Sequence, residues 1–316
     1  MSGKQAVLSW RRRKEDQPVT EQILIKEVAP RDGLQAQPKH LTLEQRQSLI
    51  ESLALTGVPE LEVGSFVSPK AVPQMAGTDV LTRQLPPQDL AYSVLVPNMK
   101  GYELAYAAGM RSFAIAIAAT EQMNQNNIRK SLEDTFRMAE DILERARGDG
   151  VAIHVYLAVS FECPYEGPVD PATVLAQAEQ LMRCDPARLM IADTIGAANP
   201  AQVHSLMTTL VSRYGREPLG CHFHDTRAMG MANVYAAIEA GVRQFDSSAG
   251  GLGGCPFAPG AKGNVATEDV VMLCESMGYQ TGVDMPRLLE SVALLSDFIG
   301  APQGGRSHYW LSRQSA

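Results

Sequence analysis

A chain of 316 residues, 45% hydrophobic and 20% charged, is long enough to bury a large core. Its net charge of −7 leaves no basic footprint for nucleic acid or an anionic membrane, and no apolar run approaches the ~20 residues of a membrane-spanning helix. Five dispersed cysteines without a CxxC pair argue against a disulfide framework or a thiolate zinc site, and for a reducing, cytoplasmic compartment.

Residues 1–21 carry an RRRK run followed by Glu15, Asp16 and Glu21 and read as a solvated arm without the apolar core of a secretory signal. The first predicted strand, ILIKEV (23–28), runs straight into APRDGLQ, which holds Arg31 and Asp32. A helix over LTLEQRQSLIESLALTG leads to a second strand, ELEVGSF (60–66), which contains Glu62. Strands AYSVLVP (91–97) and SFAIAIA (112–118) flank the helical GYELAYAAGM. The amphipathic SLEDTFRMAEDILERARGDG precedes strand VAIHVYLAV (151–159), and PATVLAQAEQLMRC precedes strand RLMIAD (188–193), which ends in Asp193. Strand LGCHFH (219–224) carries His222 and His224. After the helical MANVYAAIEAGV, strand VRQFDSS (242–248) feeds GGLGGCPFAPGAKGN (250–264), with Cys255 and Asn264. One more helix, MPRLLESVALLSDFIG, comes before a tail at 301–316. Serial strand–helix units of about 30–35 residues predict a parallel sheet. Eight of them predict a (β/α)8 TIM barrel in a single domain, core about 22–300, with an extra C-terminal helix. An open doubly wound sheet is the runner-up.

In a barrel, chemistry collects just past the C-terminal strand ends, and polar residues fall there in this chain. Residues two apart in a strand point to the same side, so His222 and His224 both face the axis and favour a metal. Asp32 can add a carboxylate oxygen and Asn264 a carbonyl oxygen. Two nitrogens and two oxygens suit Mg²⁺ or Mn²⁺ better than zinc. Arg31 either closes the mouth as an ion pair or steadies an oxyanion that forms during reaction. Glu62 is a buried strut or an anchor for Arg31. Asp193 caps the following helix or orients a metal ligand. A thiol amid six glycines, Cys255, is poorly placed for packing.

The motifs EVAPRDGLQ, GSFVSPKAVPQM, CPYEG, DTIG, HFHDT and GGLGGCPFAPGAKGNVATED together resemble the hydroxymethylglutaryl-CoA lyase family of metal-dependent TIM-barrel enzymes, over roughly residues 22–300. The resemblance implies cleavage of 3-hydroxy-3-methylglutaryl-CoA to acetoacetate and acetyl-CoA, a step of leucine catabolism, in a homodimer. It implies that Asp32, His222, His224 and Asn264 are metal ligands and that Arg31 steadies the enolate. It further implies that Cys255 is the catalytic thiol, on a loop that opens for the CoA ester and closes over it, with Glu62 and Asp193 as supporting groups. A thiol of ordinary pKa ~8.5 is mostly protonated at neutral pH and suits protonation of C2. Four features depart from the family pattern: AATEQM (118–123), Glu162 where glycine is frequent, Arg227 where members vary, and Lys262 where a small residue is common. They leave open another 3-hydroxyacyl-CoA as substrate. A Claisen-type acyl-CoA synthase is the further alternative; such enzymes usually carry a C-terminal regulatory domain, for which this chain is too short. Redox control through a cysteine-bearing tail is not expected.

Overall fold

The computed structural model describes residues 21–254 and 263–314. Eight parallel strands close on themselves in chain order: β1 (Leu24–Glu27), β2 (Glu60–Ser65), β3 (Ala91–Leu95), β4 (Ser112–Ala118), β5 (Ala152–Ala158), β6 (Arg188–Asp193), β7 (Leu219–Phe223) and β8 (Gln244–Ser247). Pairing of β1 with β8 (Lys26 opposite Asp246, Glu27 opposite Ser247) shuts the barrel and rules out the doubly wound alternative, which would leave two open edges. The predicted strands survive with ends moved by a residue or two.

The helices start and stop where side chains satisfy the free backbone groups at their ends. α1 (Leu43–Ala54) begins in a capping box formed by Thr42 and Gln45, and α5 (Pro200–Tyr214) in one formed by Asn199 and Gln202. α3 (Leu132–Asp149) is capped by Ser131 and ends at Gly150, whose φ of 66° a side chain would resist. It turns Phe136, Ala139, Ile142, Leu143 and Ala146 inward at helical spacing. α2 (Met99–Ala107), α4 (Pro171–Met182), α6 (Gly230–Glu239) and α7 (Thr267–Ser276) complete the ring; the crossover after β2 has the one-turn helix Thr78–Leu81 between two 3-10 turns, Pro73–Met75 and Thr82–Gln84. The predicted extra helix is α8 (Met285–Ile299), and a short α9 (His308–Gln314) follows it.

Strand alternation makes two interiors. Outward-facing Ile25, Leu61, Val63, Val155, Leu189, Cys221 and Phe223 pack against the helices in one continuous apolar core. The lumen holds a small apolar cluster of Ala114, Tyr156 and Met190. Gly220 leaves room for the Met190 sulfur, since a Cβ there would collide with it. The remaining lumen residues are charged or polar, in layers. Glu60, His154 and Arg188 lie at the N-terminal floor, Lys26, Glu62 and Asp246 above them, and the chemistry-bearing side chains at the open C-terminal mouth.

Candidate metal and catalytic site

The first two site residues are aimed by one turn of backbone. Directly after β1, the amides of Arg31, Asp32 and Gly33 all point to the Val28 carbonyl, at 3.1, 2.8 and 3.2 Å. This wide helical turn, started by Pro30, sets two successive long side chains over the barrel mouth. Arg31 gives one guanidinium nitrogen to Asp32 (2.5 Å) and another to Glu62 on β2 (2.9 Å). Of the two readings of Glu62, the anchor for Arg31 is the one the geometry supports.

Asp32 faces the histidines of β7. His222 Nε2 lies 4.0 Å from Asp32 Oδ2 and 3.2 Å from His224 Nε2. Ligand-capable atoms of Asp32, His222 and His224 all lie within 4.8 Å of one another. Asn264 forms a bridge with the backbone of His224, and its Nδ2 donates to Asp32 Oδ2 (2.8 Å) and the Leu252 carbonyl (3.2 Å). Its Oδ1 is buried without a hydrogen-bond partner among the described residues. Gly253, with φ of 143°, lets the chain pass beside the Asn264 amide where a side chain would not fit.

Charge follows from these contacts. Burial raises the Asp32 carboxyl, but Arg31 and the two imidazoles outweigh it and hold Asp32 well below the usual carboxylate range. Burial also opposes charge on Arg31, yet Glu62 and Asp32 keep it firmly protonated. Burial and the neighbouring His222 push His224 down to about 4. Burial acts on His222 in the same direction, but its bond to Asp246 and the Asp32 charge leave it raised.

The donor set fits a divalent cation. Asp246 Oδ2 sits 3.1 Å from His222 Nδ1, and an Nδ1–H donated to it would leave Nε2 free to ligate a metal. Two imidazole nitrogens and an ionised carboxylate gather at one place, and the Asn264 amide meets it through Nδ2, so that a half-turn of the amide would offer its oxygen there. Among the described residues, Asp32, His222 and His224 form the one cluster of three or more His, Cys, Asp or Glu side chains with this spacing.

Asp193 has a different environment. Its carboxylate accepts from the amides of Ala197 (2.8 Å) and Ala198 (3.0 Å), ordering the turn that leads into α5, while Asn199 caps that helix. Burial pushes Asp193 up to about 6 against those backbone bonds. Two of the departures from the family pattern meet beside it, for Arg227 Nη2 donates to Glu162 Oε1 at 2.8 Å. Cys255 and Lys262, and the opening and closing expected of the loop that carries them, lie outside the described residues.

Three functional neighbours escape a reading by motif: Asp246, Tyr156 and Lys26. Asp246 had a readable signal, because it stands at an inward position of a predicted strand that abuts the histidine strand. Tyr156 meets His222 edge-on with ring centroids 5.9 Å apart, and Lys26 Nζ reaches the Tyr156 hydroxyl at 3.2 Å.

Comparison with known proteins agrees with this geometry. The HMGL-like family model matches residues 22–295. The chain belongs to the HMGL-like family. It is 41% identical over 295 residues to the hydroxymethylglutaryl-CoA lyase of Pseudomonas mevalonii, covering 93% of this chain and 98% of that protein. It is 40% identical over 293 residues to the (R)-citramalyl-CoA lyase of Chloroflexus aurantiacus, covering 89% and 92%. The crystal structure of the hydroxymethylglutaryl-CoA lyase from Pseudomonas aeruginosa matches with a TM-score of 0.89 at 37% identity, over 94% of this chain and 99% of that one. The closed barrel of this HMGL-like chain is thus the fold of solved carbon–carbon lyases.

Proposed function

We propose that the chain cleaves 3-hydroxy-3-methylglutaryl-CoA to acetoacetate and acetyl-CoA in a metal-dependent reaction. The observation that carries this reading is the convergence of Asp32, His222 and His224 beside an Arg31 guanidinium at the barrel mouth. A divalent cation held by those three side chains and the Asn264 carbonyl would supply Lewis acidity toward the C3 hydroxyl. Nitrogen and oxygen donors without a thiolate favour Mg²⁺ or Mn²⁺.

Breaking the C2–C3 bond leaves an electron pair on C2 beside the thioester carbonyl, so charge develops on that carbonyl oxygen. Arg31 is the fixed cation for it, pre-oriented by Glu62 so that no reorganisation is needed during the reaction. Asp32 and His222 are both candidates to take the hydroxyl proton. Cys255, outside the described residues, is assigned the final proton delivery to C2 on sequence grounds. Asp193 acts at one remove, by shaping the turn that faces the Glu162–Arg227 pair. Four free cysteines among the described residues support a reducing, cytoplasmic setting, and no described helix is long and apolar enough to cross a membrane. The homodimer rests on the resemblance alone.

The test is acetoacetate release from this thioester with added Mn²⁺ or Mg²⁺, and its loss on chelation. Product formation unaffected by thorough chelation would refute the metal's role. A second reading keeps the chemistry and changes the acyl group, because a citramalyl-CoA lyase is nearly as similar as a hydroxymethylglutaryl-CoA lyase. Acetyl-CoA and pyruvate formed from citramalyl-CoA, with no acetoacetate from 3-hydroxy-3-methylglutaryl-CoA, would select it.

A further inference from the structure

Lys26 is a lysine in the lumen of the barrel, 2% exposed. It lies directly beneath the mouth, in register with Asp246 on β8 and Glu60 on β2. Its ammonium is 3.8 Å from Glu62 Oε2, donates to the Tyr156 hydroxyl at 3.2 Å and stands 5.5 Å from the Tyr156 ring centre. Each of these neighbours touches the mouth: Glu62 binds Arg31, and Tyr156 packs on His222. Lys26 also acts on Asp246, the partner of His222.

The layers then have a charge count. Asp32, Glu62 and Asp246 contribute three carboxylates, and Arg31 and Lys26 two cations. Without Lys26 the acidic excess felt at the mouth would double from one charge to two. Charges held this far from water interact through a low effective dielectric and are little screened by salt. A fixed positive charge there must loosen a bound cation and favour a bound anion.

We propose that Lys26 is an electrostatic positioning residue that weakens metal binding and strengthens binding of the anionic substrate, without touching either. This rests on the metal reading of the site given above. Its mark is a pair of effects with opposite signs, whereas damage to the barrel lowers both affinities together.

The experiment is calorimetric titration of the folded protein in two arms, with Mn²⁺ alone and then with free 3-hydroxy-3-methylglutarate at saturating Mn²⁺. Lys26→Met and Lys26→Gln both remove the charge, and Gln retains a donor for the Tyr156 hydroxyl. Both variants are expected to bind Mn²⁺ about tenfold or more tightly and the dianion about tenfold or more weakly, while Lys26→Arg stays within about twofold of wild type in each arm. Unchanged affinities, or weaker binding in both arms, would overturn the proposal, as would loss of fold in both charge-removing variants. Absence of Mn²⁺ binding to the wild-type protein would instead overturn the metal site itself and the role of Lys26 with it.

Discussion

The floor and the mouth of this barrel are both buried and both charged, yet they differ in what their charges have left to do. At the floor, Arg188 grips Glu60 with two nitrogens, at 2.8 and 3.0 Å, and burial holds the adjacent His154 down to about 3, so it is neutral. Opposite charges meet in matched geometry and answer one another. At the mouth, the carboxylate of Asp32 is shared among Arg31, Asn264 and the histidines, and two imidazole nitrogens face each other at 3.2 Å. These atoms and the Asp32 carboxylate lie within 4.8 Å of one another, close enough to share one cation. Charge density alone does not mark a reactive site in this protein; convergent donors that remain available do.

Substitutions can break this contrast, and the largest effect belongs to the floor. Arg188→Met strands Glu60 as a buried carboxylate, with an expected cost of about 3–5 kcal/mol in denaturant unfolding and no change in metal affinity. Altered Mn²⁺ affinity in that variant would show that the two layers are not separate. Arg31→Ala is the counterpart at the mouth. It should keep the fold and lose about 10²–10³-fold in kcat, the usual effect of removing one donor to a developing oxyanion. Full turnover there would remove the mouth from the mechanism.

A third kind of buried acid sharpens the comparison. Among the described residues Glu27 has no ion-pair partner; it accepts from the Ala29 and Ala249 amides and from Thr267, and burial pushes it up to about 7. Its folded-state pKa lies above its unfolded value of 4.5. Its contribution to stability is therefore complete below about pH 4.5 and lost as pH rises through 7. Relative to Glu27→Gln, which stays neutral, the wild type should lose about 3 kcal/mol across that window. A pH-independent difference would mean that Glu27 is ionised like its counterparts in the lumen. The smallest effect is expected from Asp246→Asn, which frees the His222 ring to turn and should weaken Mn²⁺ binding about 10–100-fold with little loss of stability. Equal affinities would show that β7 alone orients the imidazole.

Much of the mouth was legible in the residues. HFH in a strand places two imidazoles on one side by strand period alone, and RDG directly after a strand places Arg31 and Asp32 at its C-terminal end. The same local logic left two roles open for Asp193, because a carboxylate at a strand end can serve the backbone of the next turn as readily as a metal, and here both oxygens accept from amides. It also missed Glu162 with Arg227, 65 residues apart, whose pairing depends on two loops meeting above the barrel.

The amino-acid sequence by itself determined the alternation that builds the barrel and the turn that presents Arg31 and Asp32, because both are set by neighbours within a few residues. Closure of the sheet decided the rest. It brought Lys26 beside Glu62 and Tyr156, Asp246 beside His222, and Arg188 across to Glu60, pairs separated by 24 to 130 residues. Contacts across a lumen depend on register and shear around all eight strands, and no local pattern encodes those.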